Sequence, residues 1–253
     1  MLTLKLQRQE LVRDSGSFCS WQAVHTTALL EPEKTALIIV DMWDQHWSKG
    51  ATHRCGALAE EINEAAGRAR KNGILVVHAP SDTMAFYAGH PARERFLSRG
   101  AQTPSFALAA EPAIVEIPDH PMPLDVSDGG SDTVDDHKPN TGVWSRQTEK
   151  IDIDAEHDIL CGDEGDLLFS CLCQSGIHNL LYAGVHTNMC IIGRTFGIKA
   201  MLKRGIRPIL VRDLTDSMCN PSRPPYVSHE EGTRLVIGYI EKFYCPTITS
   251  DQI

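Results

Sequence analysis

Leu180-Leu181-Tyr182-Ala183-Gly184-Val185-His186-Thr187-Asn188-Met189-Cys190-Ile191-Ile192-Gly193-Arg194 decides the fold. Leu180 to Ala183 is a short apolar run stopped by Gly184, the pattern of a parallel strand covered on both faces. Thr187 and Asn188 are good N-cap residues. Ile191, Ile192, Phe196, Ile198, Ala200, Met201 and Leu202 then predict one apolar helix face running to Gly205. This reading starts the helix at Cys190, just beyond the carboxyl end of a strand. The free amides and dipole of a helix start favour an anion and are expected to lower a thiol pKa to roughly 3.5–7.5. Two readings of Cys190 are open at this point: an activated nucleophile, or a small apolar side chain packing a helix onto a sheet.

Outward from this stretch, strands and helices alternate. Lys34-Thr-Ala-Leu-Ile-Ile-Val-Asp41 is a buried strand with Asp41 at its carboxyl end, where open α/β sheets place ligands. A helix is expected over about Thr52 to Asn72, ended by Gly73, then a strand over Ile74 to His78. Asp158 to Cys161 reads as a short strand, Asp163 to Gln174 as a helix, Ile206 to Arg212 as a strand, and Ser228 to about Tyr244 as a capped helix. Pro246 to Thr249 reads as a last strand. The alternation predicts an α/β fold of three layers, α/β/α and Rossmann-like, with a mostly parallel sheet and helices on both faces. No G-x-G-x-x-G, G-x-S-x-G or Walker-type loop is present, so dinucleotide, serine-hydrolase and P-loop readings lack their motifs.

Residues 1–32, where Leu2, Leu4 and Leu6 alternate with polar residues, read as an N-terminal extension, an edge strand or arm. Residues 33–253 read as one domain. About residues 102–141 it carries a proline-punctuated insertion with Asp125, Asp128, Asp132, Asp135 and Asp136, without the spacing of a calcium loop. The chain's 253 residues, 42% hydrophobic and 23% charged, suffice for a large core. The net charge of −9 and the lack of Lys/Arg-rich runs argue against nucleic acid, and no apolar run reaches roughly 18 residues for a membrane span. Eight scattered cysteines, with no secretory h-region at the N-terminus, predict reduced thiols and a cytoplasmic protein. Cys171 and Cys173 lie in a helical pattern without a second ligand pair, which disfavours zinc.

The "TALIIVDM" strand ending in Asp41 and the "YAGVHTNMC" turn ending in Cys190 resemble the isochorismatase-like cysteine hydrolases, the superfamily of nicotinamidases and N-carbamoylsarcosine amidase. The resemblance spans about Lys34 to Thr249, the insertion apart. It implies an Asp–Lys–Cys triad: Asp41 as base, Cys190 as nucleophile, and Lys150 as cation, with Arg146 as the alternative. It further implies a cis peptide at Val185–His186 and an oxyanion hole at the turn, using the backbone of Met189 and Cys190. His186 stands where the family usually has a small residue. Trp43, Trp47, Phe86, His186 and Asn188 are expected to line a pocket for a small-molecule substrate, with water as co-substrate. No cofactor is required. A divalent metal held by Asp44, His46 and His78 is a further expectation, because some family members bind one. The resemblance also implies a homo-oligomer. The function expected is hydrolysis of a small amide or related C–N bond through a thioester. The alternatives are ether cleavage of the isochorismatase type, or a degraded site kept as a binding or assembly module.

Overall fold

The structure, a computed structural model, describes residues 1–100 and 117–253. One eight-stranded sheet runs through it in the order β2-β1-β8-β7-β6-β3-β4-β5. The strands are β1 (Leu2–Arg13), β2 (Cys19–Leu30), β3 (Thr35–Val40), β4 (Leu75–Ala79), β5 (Ile159–Leu160), β6 (Asn179–Val185), β7 (Arg207–Asp216) and β8 (Thr247–Ile248). From β8 through β5 all pairings are parallel. The helices are α1 (Lys49–Lys71), α2 (Pro91–Gly100), α3 (Gly165–Gln174), α4 (Ile198–Lys203) and α5 (His229–Phe243).

The strand period of two explains the layering. On β3, Ala36, Ile38 and Val40 enter a core with Phe96, Leu168, Met201 and Ile240 from α2, α3, α4 and α5. Leu37 and Ile39 point the other way, onto Ala59, Ile62 and Ala66 of α1. Both faces of the central strands are thus covered, which is why they read as unbroken apolar runs.

The N-terminal segment is a hairpin that extends the sheet. β1 pairs antiparallel with β2 along its whole length and with β8 at Gln7–Thr247. Leu4 and Leu30 are buried against the α1-side core, so the base of the hairpin belongs to the domain. Leu11, Phe18, Trp21 and Leu29 remain exposed.

Of the expected insertion, residues 102–116 lie outside the described residues. The remainder is not a free acidic loop. Asp135 Oδ1 accepts the Lys49 N–H at 2.8 Å and Thr133 Oγ1 the Gly50 N–H at 3.2 Å, satisfying orphan donors at the start of α1. Asp132 pairs with Arg54 one turn further on.

The Cys190 helix departs from expectation. Thr187–Ile191 forms one π-helical turn, and regular helix returns only at Ile198. The polar side chains explain the break. Thr187 Oγ1 donates to the Asp216 carbonyl at 2.9 Å. Asn188 bonds both backbone groups of Met218, at 2.8 and 3.0 Å. The end of β7 captures both expected N-caps, and neither caps a helix.

Candidate functional site

Asp41 and Cys190 lie on adjacent central strands. Val40 pairs with Gly184, so Asp41 leaves β3 beside the Val185–His186 bond that leaves β6. That bond is cis. Gly184 has φ of +107°, and a Cβ there would sit 2.1 Å from the Val40 carbonyl oxygen, so only glycine lets the two strand ends approach. Asp41 itself has φ of +47°, a left-handed conformation that aspartate tolerates better than most residues. It turns the chain at the sheet rim, and the Trp43 N–H bonds back to its carbonyl at 2.9 Å.

The Asp41 carboxylate is fully buried. Oδ1 accepts the Ser81 N–H at 2.8 Å, Oδ2 accepts from Arg194 Nε at 3.2 Å, and the Cys190 thiol donates to the same carboxylate. Burial raises the Asp41 pKa above the ordinary carboxylate value; Arg194, the thiol and Ser81 offset only part of this. The Cys190 thiol is likewise pushed well up, by desolvation first and then by the Asp41 charge. This reverses the lowered thiol expected from a helix start. The turn is a single π-helical one, and the nearest charge is a carboxylate. One proton is therefore shared by two groups that both hold it tightly, with a guanidinium alongside.

The cation beside Asp41 is Arg194, four residues after Cys190, and its backbone N–H bonds back to the Cys190 carbonyl at 3.1 Å. Its three nitrogens face Asp41 at 3.2 Å, Asp163 at 3.3 Å and Asp82 at 3.3 Å. The expected cations lie elsewhere. Lys150 Nζ donates to the Gly56 carbonyl and to Glu60 on α1, at 2.8 and 2.7 Å. Arg146 pairs with Glu149 at 2.6 Å and lies over Phe86, lining a neighbouring depression. Both belong to a loop anchored on α1 and on the 86–87 segment, which draws them away from Cys190.

A pocket of about 130 Å³ opens at Cys190 and Arg194. Trp43, Trp47 and His186 line it as expected, together with His46, Asn140, Trp144, Met189 and Met218. Trp43 and Trp144 stack with centroids 4.1 Å apart, and the edge of His186 meets His46 at 5.0 Å. Phe86 is outside this wall, half exposed under Arg146. Asn188 is also outside, because its amide is spent on Met218. The Met189 N–H donates to the His186 carbonyl at 3.0 Å, so that amide closes the turn and is not a free oxyanion donor. Burial lowers the pKa of His46 to about 4 and of His186 to about 3, and both are neutral at physiological pH.

Asp44, His46 and His78 do not converge. Asp44 binds Ser145 through its N–H at 2.9 Å and its hydroxyl at 2.6 Å. His46 Nδ1 accepts the Ser48 N–H at 3.1 Å. His78 is clamped between Gln147 and Asp158, at 3.0 and 2.9 Å. These donors do not fit one metal ion, and among the described residues no group of three or more His, Cys, Asp or Glu could hold one. No helix among them is long and apolar enough to cross a membrane.

The sequence matches no protein-family model and no curated protein. The fold matches solved structures. A cysteine hydrolase from Pseudomonas syringae pv. phaseolicola 1448A superposes with a TM-score of 0.55 at 15% identity, over 88% of this chain and 92% of that one. An isochorismatase from Pseudomonas putida KT2440 gives 0.54 at 12% identity, again over 88% and 92%. The chain has the isochorismatase-like α/β fold.

Proposed function

We propose that this chain is a cysteine hydrolase that cleaves a small amide or related C–N bond through a thioester. One observation carries the reading: at the rim of the sheet Asp41 accepts from both Cys190 and Arg194, and those two line a pocket. A base, a nucleophile and a cation held together are what covalent acyl transfer needs.

Asp41 takes the Cys190 proton as the sulfur attacks the carbonyl carbon. The new S–C bond moves the carbonyl electron pair onto oxygen, where the Cys190 N–H stabilises it, the Met189 and Ile191 amides being bonded to His186. Collapse breaks the C–N bond, and Asp41 returns its proton to the leaving nitrogen. A water then gives its proton to Asp41 and attacks the thioester; the C–S bond breaks, and the sulfur regains the proton. The raised Asp41 pKa suits this exchange, since a base closer to neutrality both takes and returns a proton readily. Arg194 stays charged throughout and offsets the negative charge that moves between oxygen and sulfur. No step passes through a metal.

Screening a panel of small amides identifies a turned-over substrate, and acid quench followed by mass spectrometry looks for the acyl group on the Cys190 peptide. The expected result is an acyl adduct on Cys190 and no turnover by Cys190→Ala. Undiminished turnover by that variant would sink the proposal. A homo-oligomer belongs to the same reading, supported by the exposed Leu11, Phe18, Trp21 and Leu29 of the hairpin, and light scattering of the full chain tests it.

A further inference from the structure

The two ends of the sheet are built differently. β5 closes one end with two buried residues, and so short and covered an edge offers no template to another chain. β2 closes the other end with twelve residues, of which only Leu30 is buried. Cys19–Leu30 contains no Lys, Arg, Asp, Glu or Pro, the residues that blunt an open edge. The charges of the hairpin strands, Lys5, Arg8, Glu10 and Arg13, all lie on β1, which is already paired.

The hairpin register fixes which backbone groups of β2 are free. The Asp14 N–H donates to the Phe18 carbonyl at 3.0 Å, and the pairing runs without a shift from Arg13–Cys19 to Leu2–Leu30. Hydrogen-bonded pairs alternate along an antiparallel ladder. The even-numbered residues of β2 therefore bond β1, and the N–H and C=O groups of Trp21, Ala23, His25, Thr27 and Leu29 point outward. Among the described residues no strand lies beyond them.

A second copy presents the same free groups, and a two-fold axis brings them together odd residue to odd residue. A register centred on His25 sets Trp21 opposite Leu29 of the second copy on both sides of the axis, and Ala23 opposite Thr27. Trp21 and Leu29 are the large apolar side chains this strand exposes, at 42% and 64%. Any other register moves in steps of two residues and parts them. The chain's net charge of −9 opposes contact between copies elsewhere, whereas an uncharged strand sets no like charges face to face.

We propose that β2 is the interface with a second copy of this chain, the two strands pairing antiparallel about a two-fold axis at His25 and joining two sheets into one. The proposal rests on the homo-oligomer named under the proposed function and assigns its surface and symmetry. The pairing forms about ten backbone hydrogen bonds, as many as a standard interface carries. Its strip is about 36 Å long and one sheet thick, about 10 Å, which is less area than the roughly 1,200 Å² of a stable complex. The dimer is therefore concentration-dependent, with an expected Kd on the order of 10 μM.

The full chain is followed by sedimentation and light scattering from about 1 to 100 μM, where a monomer–dimer equilibrium is expected. Contact is read by cross-linking after Cys19, the exposed native thiol, is replaced by serine. His25→Cys is expected to form a disulfide between copies, because facing residues of a hydrogen-bonded pair lie about 5.5 Å apart. Ala23→Cys is expected to form none, because its two copies lie about 13 Å apart along the strands. Thr27→Pro removes an outward N–H that β1 does not use, and His25→Lys sets two like charges face to face at the axis. Each is expected to weaken the dimer at least about tenfold, with the urea midpoint of the dilute monomer nearly unmoved. A chain still monomeric at the highest concentration overturns this pairing and the homo-oligomer together, and leaves the edge to a strand from another protein. A dimer that ignores both variants, or that links through Ala23→Cys as readily as through His25→Cys, leaves the homo-oligomer and removes the β2 interface.

Discussion

Replacing Arg194 by glutamine removes one charge, keeps most of the side-chain bulk, and tests the centre of the site. Asp41 is wholly buried, and its strongest electrostatic support comes from Arg194 Nε at 3.2 Å. Breaking a buried ion pair by deleting one partner costs about 3–5 kcal/mol. The Arg194 side chain is 20% exposed and its other two nitrogens face more exposed carboxylates, so the lower end applies, about 3 kcal/mol. The attacking form of the Asp41–Cys190 pair carries one net negative charge whichever group holds the proton, so the whole cost falls on it. At 1.36 kcal/mol per power of ten, kcat/KM should drop by about 100-fold. Because burial raises the Asp41 pKa, the acid limb of the parent's pH profile should lie above the ordinary carboxylate range, and in the variant it should move up by about two further units.

Stability gives a second readout with a defined sign. A carboxyl whose folded pKa is raised contributes fully below its unfolded pKa, and that contribution is lost as pH rises through the folded pKa. Arg194→Gln raises the folded value further, so the variant should be less stable than the parent at neutral and alkaline pH. The two should converge in acid, where Asp41 is protonated in both. The assays are kcat/KM against pH on the best amide, and urea midpoints at acidic and alkaline pH. Arg194→Lys keeps the charge but cannot span three carboxylates, and should lie between the two. An Arg194→Gln enzyme within about threefold of the parent, with an unmoved acid limb, would refute the assignment.

Three other substitutions test the frame around the site. Lys150→Ala should change kcat/KM by less than about twofold and leave the urea midpoint nearly unmoved, since its pair with Glu60 is exposed; enzyme kinetics and urea unfolding check this. Gly184→Ala should lower stability by about 3–5 kcal/mol or prevent folding, because φ is +107° and the new methyl meets the Val40 carbonyl; urea midpoint and soluble yield report it. Asp158→Ala should cost about 3–5 kcal/mol, because the carboxylate is buried between Arg70 and His78. Burial alone would raise the Asp158 pKa, but the bonds from His78 and Arg70 hold it below the ordinary value. Its contribution is therefore present above the unfolded pKa and lost as pH falls through the folded one, so the parent's urea midpoint should drop in acid more steeply than the variant's.

The central strands were legible because their constraint is local. A run such as Ala36 to Val40 is apolar on both faces only if both faces are covered, and the first polar residue after it marks the rim. Strand ends alone put Asp41 and Cys190 at the rim, because strand ends are fixed by the sheet; their roles came only from the family resemblance. The cation was not fixed in that way. A long side chain reaches a site from any nearby loop, so counting back from Cys190 to Lys150 assumes a loop path that Gly56 and Glu60 divert. Arg194 was within the stretch first quoted, at the i,i+4 spacing that puts two side chains on one helical face. That local spacing points to Arg194, whereas family spacing points to Lys150.

Two further departures, at the turn and at the thiol, share one cause. Thr187 and Asn188 have the side chains of N-caps, but a cap is a local bond competing with tertiary ones, and the β7 end at Asp216 and Met218 takes both. The thiol pKa was expected to fall because only the turn was visible; it rises because the folded chain desolvates the sulfur and, second, because a strand far away in sequence places a carboxylate against it. Each error concerns a polar group whose partner arrives from elsewhere in the chain. Apolar periodicity reports where a residue is buried, whereas a polar residue's role depends on the particular atom opposite it. That asymmetry separates Arg194, Thr187 and Asn188 from the sheet that holds them, and it makes Arg194→Gln the most demanding test of the site.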